Sequence, residues 1–487
     1  MKIAFAASEV VPFAKTGGLA DVSGALPVEL EKLGHDVKVF MPKYYSVDEH
    51  KFNLEYQSWA NTMPIRVAGI VHEVQLYKGY LPNSKVEIYF IDCPYFFHRH
   101  NLYTNDHDED QRFICFSKSV IEAIQRLLWS PDIIHCNDWQ TGLIPLYIKD
   151  NYSWDKMFEN TATVFTVHNI GYQGKFPQKT LFNAEIREDL FYHGGRIEQD
   201  GLVNFLKTGL SFADLINTVS ETYAKELMTP EYSAGMHHLL KYREKDFYGI
   251  INGVDYEVWN PETDKLIPYN YSKEGLSGKE KNKEELLKKF SMPYQKDIPL
   301  IGIISRLAIQ KGFDLIQASL GELMHFNAQW IVLGSGEQKY ENMFQALHEQ
   351  IPHNVGVYIG YNNDLAHLIE AGADIFLMPS HYEPCGLNQI YSLKYGTVPV
   401  VRKTGGLADT VQDWNEYNTY GMDTGNGFSF VEYKPAALVN AVQRALGDYH
   451  NKPIWKKIQL NGMHQDYSWE HSARQYEELY KKAKLKR

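Results

Sequence analysis

Residues 2–42 read KIAFAASEVVPFAKTGGLADVSGALPVELEKLGHDVKVFMP. An apolar run, KIAFAAS, leads through a glycine-rich turn into LADVSGALPVELEKLG, a helical pattern, and then into a second apolar run, DVKVFMP. Runs that are apolar nearly end to end mark strands buried on both faces, as in a parallel sheet. VEIYFID, DIIHCND, ATVFTVHN and LINTVS repeat the strand signature, and DQRFICFSKSVIEAIQRLL places apolar residues at three- and four-residue intervals between them. This βαβ alternation predicts a doubly wound α/β sheet.

The pattern restarts in the second half. After FYGIINGVD comes a polar, lysine-rich interval, TDKLIPYNYSKEGLSGKEKNKEELLKKF, and then PLIGIIS, QWIVLGS, VGVYIGY, DIFLMPS and TVPVVR. A chain of 487 residues is also too long for one core. Two Rossmann-like domains are therefore expected, residues 1–247 and 248–463. The segment 464–487, with YSWEHSARQYEELYKKAKLKR, reads as an amphipathic helix able to cap either domain. Ligands of such sheets bind beyond the carboxyl ends of the strands, here in a cleft where two sheets face each other.

Composition narrows the function. The net charge of −11 argues against a nucleic-acid partner, and the one basic run, KKAKLKR, reads as a solvated helix end. Four cysteines, Cys93, Cys115, Cys136 and Cys385, have no metal-ligand spacing and read as reduced thiols. No apolar run approaches the roughly 20 residues of a membrane span. A cytoplasmic protein without membrane contact is expected. In TNDHDED the residues Asp106, Asp108 and Asp110 read as a solvated acidic turn, and the pairs His98/His100 and His237/His238 lack further ligands. No metal and no cofactor is expected.

The chemistry should lie at strand ends. Gly17 and Gly18 can bring backbone N–H groups close to a diphosphate beside Lys15, with a helix N-terminus behind them; the same residues read equally as a structural turn. The phrase KTGGLAD recurs at Lys403–Asp409, where a helix is expected from Leu407 with Asp409 in its first turn. Arg306 and Lys311 in SRLAIQKG can clamp a diphosphate or stand as solvated cations. VLGSG adds Gly334 and Gly336, which could border a nucleotide. Glu383 follows a strand, with Gly386 and Leu387 opening a helix; a carboxylate beside helix amides suits a sugar. Cys385 reads as packing or a sugar contact. Asp138 in HCNDWQTGL and His168 in VHNIGYQGKF also end strands, His168 reading equally as a buried, satisfied histidine.

Together KTGGLADVSGALP, HCNDWQTGL, VHNIGYQGKF, INGVD, SRLAIQKG, HYEPCGLNQIYSLKYGTVPVVRKTGGLADTV and YSWEHSA resemble the bacterial glycogen synthases and plant starch synthases, glycosyltransferase family 5. The resemblance runs nearly end to end. It implies a GT-B fold and retaining, cation-independent transfer of glucose, usually from ADP-glucose, to the non-reducing end of an α-1,4-glucan such as glycogen. The first domain would hold the acceptor and the second the donor. It further implies that Lys15, Gly17 and Gly18 border the diphosphate, that Asp21 is a further substrate-binding residue, and that Asp138 and His168 contact the transferred glucose with Asn169 nearby. Arg306 and Lys311 would neutralise the leaving diphosphate, and Glu383 would bind glucose hydroxyls. Tyr361 would stack on the base, with Asn252, Cys385, Gly386, Leu387, Thr404, Gly405 and Gly406 near the donor. Many retaining GT-B enzymes carry a second Glu eight positions after the first; here that position is Tyr391. Two rivals remain at this level: a phosphorylase-like enzyme using pyridoxal phosphate, and a non-catalytic glucan binder drawing on the 14% aromatic content.

Overall fold

The computed structural model describes all 487 residues, Met1–Arg487. It divides into two compact units: Met1–Val219 with Ala224–Gly253 and Trp469–Arg487, and Val254–Ser468 with the short excursion Ser220–Tyr223. The chain thus changes unit at Gly253–Val254 and returns at Ser468–Trp469, a few residues beyond positions 247 and 463.

In the N-terminal unit, β1 (Lys2–Ala6), β2 (Asp36–Pro42), β3 (Ile70–Tyr80), β4 (Glu87–Asp92), β5 (Ile133–Asn137), β6 (Ala162–Val167), β7 (Leu215–Thr218) and β8 (Phe247–Gly249) form one sheet. Its order is β8-β7-β6-β5-β1-β2-β4-β3. Pairing is parallel except at β3 against β4. Each expected strand of this half is present. β3 escapes the apolar signature because its sequence, IVHEVQLYKGY, is polar and partly exposed; beyond it the sheet continues antiparallel with the strands Met63–Val67 and Glu55–Tyr56. From β1 the chain winds outward to β4 and β3, then crosses back to β5. The reversal therefore falls between β1 and β5, and this is the switch point at which doubly wound sheets take ligands.

In the C-terminal unit, β9 (Leu300–Ile304), β10 (Gln329–Gly334), β11 (Val355–Ile359), β12 (Ile375–Met378), β13 (Val398–Arg402) and β14 (Phe428–Phe430) lie in the order β11-β10-β9-β12-β13-β14. All are parallel. The switch point here lies between β9 and β12. The three-residue β14 is too short to be seen as a strand in sequence.

The helix Trp469–Lys484 packs on the N-terminal unit, against the helix Gly18–Lys32 and strands β5 and β6. It buries Trp469, Ser472, Ala473, Tyr476, Leu479, Tyr480 and Ala483, one stripe at three- and four-residue spacing. A buried polar chain anchors it. The Tyr480 hydroxyl lies 2.8 Å from His135 Nδ1, and His135 Nε2 lies 2.6 Å from Thr166 Oγ1. Thr166 Oγ1 donates to Asn217 Oδ1, and Asn217 Nδ2 donates to the Tyr476 hydroxyl at 3.2 Å. Burial lowers the His135 pKa to about 3, so the ring is neutral and bridges as donor and acceptor. The basic tail is not a solvated end: Lys484 pairs with Asp132, Lys486 with Asp246 and Arg487 with Asp214. No helix is long and apolar enough to cross a membrane.

The acidic stretch likewise departs from a solvated turn. Asp106 and Asp108 both accept from Arg99, while buried Asp110 accepts from Thr180 and Asn183. These contacts dock the start of the helix Glu109–Arg126. None of the four cysteines forms a disulfide, and all four are buried. Replacing Tyr480 by Phe strands a buried histidine nitrogen, so the variant should lose about 1–3 kcal/mol of stability. Urea unfolding measures this; an unchanged midpoint would mean that the anchoring chain contributes nothing.

Candidate active site

At the switch point of the N-terminal unit, three strand ends supply polar groups. Glu9 follows β1, Asp138 follows β5 and His168 follows β6. Asp138 sits at φ 55°, ψ −179°, backbone that favours glycine and costs of order 1–3 kcal/mol elsewhere. Its N–H donates to Thr166 O, and the His168 N–H donates to its Oδ1 at 2.7 Å. Enclosure raises the Asp138 pKa to about 7, the Glu9 charge adding to the rise and the His168 and Asn169 amides opposing it. The His168 ring is held neutral, its pKa lowered by burial to about 3, with Nε2 2.9 Å from Asn137 Oδ1. Because Asn137 Nδ2 donates to Ala6 O, its Oδ1 faces the imidazole, which assigns the proton to Nε2. Asn169 accepts from the Gly171 N–H and shapes the turn after β6. Asn252 is buried, its Oδ1 without a partner.

The first KTGG turn is exposed, and β-carbons at Gly17 and Gly18 would meet nothing within 4 Å. Its amides are nevertheless spoken for. The Thr16 and Gly17 N–H groups both donate to Glu9 Oε2, and Thr16 Oγ1 donates to Oε1 at 2.6 Å. Lys15 pairs with Asp21 at 2.6 Å. Lys15, Gly17, Gly18 and Asp21 are thus brought together, but the Gly17 amide expected to face a ligand faces a protein carboxylate.

The second copy behaves differently. The helix Gly405–Thr410 begins two residues before Leu407, and Asp409 lies near its end, accepting from the Thr222 N–H and hydroxyl. A β-carbon on Gly405 would lie 1.9 Å from Glu383 O, and one on Gly406 1.9 Å from Cys385 O. The Gly406 N–H donates to Glu383 O at 3.1 Å. Here the glycines admit the Glu383–Cys385 backbone rather than a phosphate, and Thr404 is fully buried beside them.

At the switch point of the C-terminal unit, the loop after β9 carries Arg306 and Lys311, and the loop after β12 carries Glu383. Lys311 Nζ donates to both Glu383 oxygens, at 2.8 and 2.6 Å, and Ser380 Oγ donates to Oε2 at 3.0 Å. The two residues expected to act on phosphate and on sugar are one ion pair, with Glu383 only 5% exposed. Gly312, at φ 83°, allows it: a β-carbon there would strike Pro379 O at 2.1 Å. Arg306 is exposed and reaches Gln310 at 3.4 Å. Gly334 and Gly336 do not border open space; they admit the backbone of Ser305 and Leu307, supporting the Arg306 loop. Gly386, at φ 71°, and Leu387 lead into the helix Asn388–Tyr395, whose Asn388 side chain donates to Ile304 O at the end of β9. Buried Cys385 packs beside them. Tyr361 is 85% exposed before the helix Asn363–Gly372.

Tyr391, at the position of the absent second Glu, stacks on Trp259 at 4.0 Å, and Trp259 stacks on His367 at 3.7 Å. Asp264 accepts from His367 Nδ1 at 2.8 Å and from the Tyr395 hydroxyl at 2.6 Å. Neither Trp259 nor Glu9 was visible as a functional candidate in the sequence. Glu9 had a signal, a carboxylate three residues past an apolar strand, whereas Trp259 is brought in from a distant loop. No three His, Cys, Asp or Glu residues gather as a metal-holding group.

Comparison with known proteins agrees with this architecture. Residues 2–242 match the family described as the starch synthase catalytic domain, and residues 284–459 match glycosyl transferases group 1. The chain is 44% identical to a glycogen synthase of Thermosipho melanesiensis over 488 residues, covering all of both chains. It is 45% identical to one of Thermotoga maritima, over 100% of this chain and 99% of that one. Among solved structures it is similar to the catalytic domain of starch synthase IV from Arabidopsis thaliana, bound to ADP and acarbose, with a TM-score of 0.89, 32% identity and 99% coverage of each chain. A sucrose-phosphate synthase from Thermosynechococcus elongatus, at 17% identity and a TM-score of 0.59 over 99% of this chain and 98% of that one, shares the fold. The chain belongs to the glycogen and starch synthase family of GT-B glycosyltransferases, enzymes that extend a glucan by glucosyl transfer.

Proposed function

We propose that the donor is ADP-glucose, that glucose passes to the non-reducing end of an α-1,4-glucan with retention at the anomeric carbon, and that the reaction runs in the cytoplasm without a metal. The carrying observation is the constellation of Arg306, Lys311 and Glu383 at the β9/β12 switch point. The plant relative solved with ADP and acarbose supports the choice of an adenine nucleotide. The scattered cysteines, none of them in a disulfide, accord with a reducing compartment.

In this reading the C-terminal unit holds the donor and the N-terminal unit the acceptor. An ammonium has three protons and a carboxylate about four acceptor positions. Lys311 spends two protons on Glu383, which leaves one for a phosphate oxygen. Glu383 already accepts three bonds, from Lys311 twice and from Ser380, which leaves room for one sugar hydroxyl. Arg306 adds a second cation where charge develops as the diphosphate leaves, so both lower the barrier rather than merely tighten binding. Lys15 and Asp21 border the diphosphate. Tyr361 stacks on the base, and Asn252, Cys385, Gly386, Leu387 and the Thr404–Gly406 segment frame the donor. The oxocarbenium-like sugar gains positive charge near Asp138, His168 and Asn169. Neither Asp138 nor His168 is set up as a nucleophile: the former is held by the His168 and Asn169 amides, and the latter is a neutral ring whose Nε2–H is committed to Asn137. A front-face displacement follows, in which the leaving phosphate oxygen accepts the proton of the incoming hydroxyl as the new glycosidic bond forms.

Labelled glucose supplied as ADP-glucose should enter glycogen with full retention, and UDP-glucose should serve poorly; preference for UDP-glucose would overturn the donor assignment.

Lys311→Ala should lower kcat by about 10²–10³-fold, equivalent to about 2.7–4 kcal/mol. It also leaves a buried carboxylate unpaired, destabilising by about 3–5 kcal/mol. The double variant Lys311→Met/Glu383→Gln removes that second effect, so it should regain stability but not kcat. A change confined to KM would contradict the assigned role.

Asp138 gives a pH signature. Its raised pKa means the free enzyme loses the carboxylate as pH falls through about 7, and kcat/KM, which reports free-enzyme ionisations, should fall with it. Asp138→Asn should flatten that limb. Asp138→Gly relieves the strained backbone and the enclosed acid, so it should be more stable by about 1–3 kcal/mol and nearly inactive. A less stable glycine variant would refute the strain.

A further inference from the structure

We infer that Glu9 is a positioning residue for glucosyl transfer: its carboxylate fixes the Lys15–Gly18 turn beside the strand ends that carry Asp138 and His168. The inference rests on the reading of those two residues as sugar contacts. Glu9 is 3% exposed and accepts four hydrogen bonds, from the Thr16 and Gly17 amides, the Thr16 hydroxyl and the Tyr103 hydroxyl. A packing role alone does not call for a buried carboxylate; hydrogen-bonding the turn's amides does.

The arrangement changes what the turn can offer. Two successive amides in a glycine-rich turn make an anion site, and here the anion is the protein's own. The turn therefore presents the Lys15 side chain to a phosphate, not an amide cradle. Glu9 is itself held from behind. The Tyr103 hydroxyl lies 2.7 Å from Ser8 Oγ, and the Tyr44 hydroxyl donates to Ser8 O at 2.9 Å. Tyr44 meets the Phe97 ring edge-on, Arg112 sits over Phe97 and pairs with Glu109, and Glu109 accepts from Thr104 in the Tyr103 loop. A wall of fixed groups thus transmits the position of β1 to an exposed turn, in which β-carbons at Gly17 and Gly18 would meet nothing within 4 Å. The charge acts on a second group as well. Asp138 feels Glu9 from the β1 side and the His168 and Asn169 amides from the β6 side, the first raising its pKa and the amides lowering it.

Glu9→Gln keeps the length of the side chain but loses its charge and half of its acceptor capacity. Hydrogen exchange at the Thr16 and Gly17 amides should accelerate at least tenfold in this variant of the full chain. Its kcat/KM should fall about 10²-fold, the scale of a displaced positioning group. The acidic limb that Asp138→Asn flattens should move to lower pH. Glu9→Asp retains the charge and should restore the pH profile without restoring exchange protection. Unchanged exchange in Glu9→Gln overturns the positioning role; accelerated exchange with unchanged kcat/KM overturns its bearing on transfer. If Glu9→Gln does not fold, Tyr103→Phe removes one of the four bonds and should raise exchange at both amides several-fold with a lowered kcat/KM; wild-type values for both would overturn the inference. Failure of wild-type glucosyl transfer from ADP-glucose would refute the donor assignment, while the exchange data would still decide the Glu9 contact.

Discussion

Three carbonyl oxygens, of Pro379, Glu383 and Cys385, occupy the places where β-carbons of Gly312, Gly405 and Gly406 would project. The site of the C-terminal unit depends on this steric constraint. Any side chain at these positions would push the loop after β12 away from the loops after β9 and β13. Lys311 would then no longer reach Glu383, and the carboxylate would be buried without its cation. The glycines create no flexibility here; they permit three backbones to touch, and the ion pair follows from the contact.

The same seven-residue phrase serves two mechanical ends. At Lys15–Asp21 the glycines stand open, and the turn is tied down by a carboxylate from the strand end behind it. At Lys403–Asp409 they are crushed against a neighbouring backbone, and the aspartate leaves its own turn to bind Thr222. Identical residues thus carry different loads because the surroundings differ: one copy is tied to Glu9, the other is packed on the Glu383–Cys385 segment.

Strain and burial divide the labour between the units. The N-terminal unit stores unfavourable features, a non-glycine residue in a left-handed conformation and a carboxyl whose pKa burial raises to about 7, beside a neutral histidine. The C-terminal unit instead pairs its charges, Lys311 with Glu383, and leaves Arg306 exposed.

Strand runs such as DIIHCND and DIFLMPS were legible because burial on both faces demands continuous apolar sequence, and the family motifs at their ends marked Asp138, His168, Lys311 and Glu383 directly. The antiparallel strand β3 was not, since its partly exposed residues dilute the apolar signal, and the basic tail looked solvated because its acidic partners lie hundreds of residues away. Local sequence determined which residues end the strands and hence which chemistry is present. Which of them touch was decided only by tertiary structure: hydrogen bonds and ion pairs act over about 3 Å in space, and the chain distance from Glu9 to Tyr103, or from Lys311 to Glu383, says nothing about that separation.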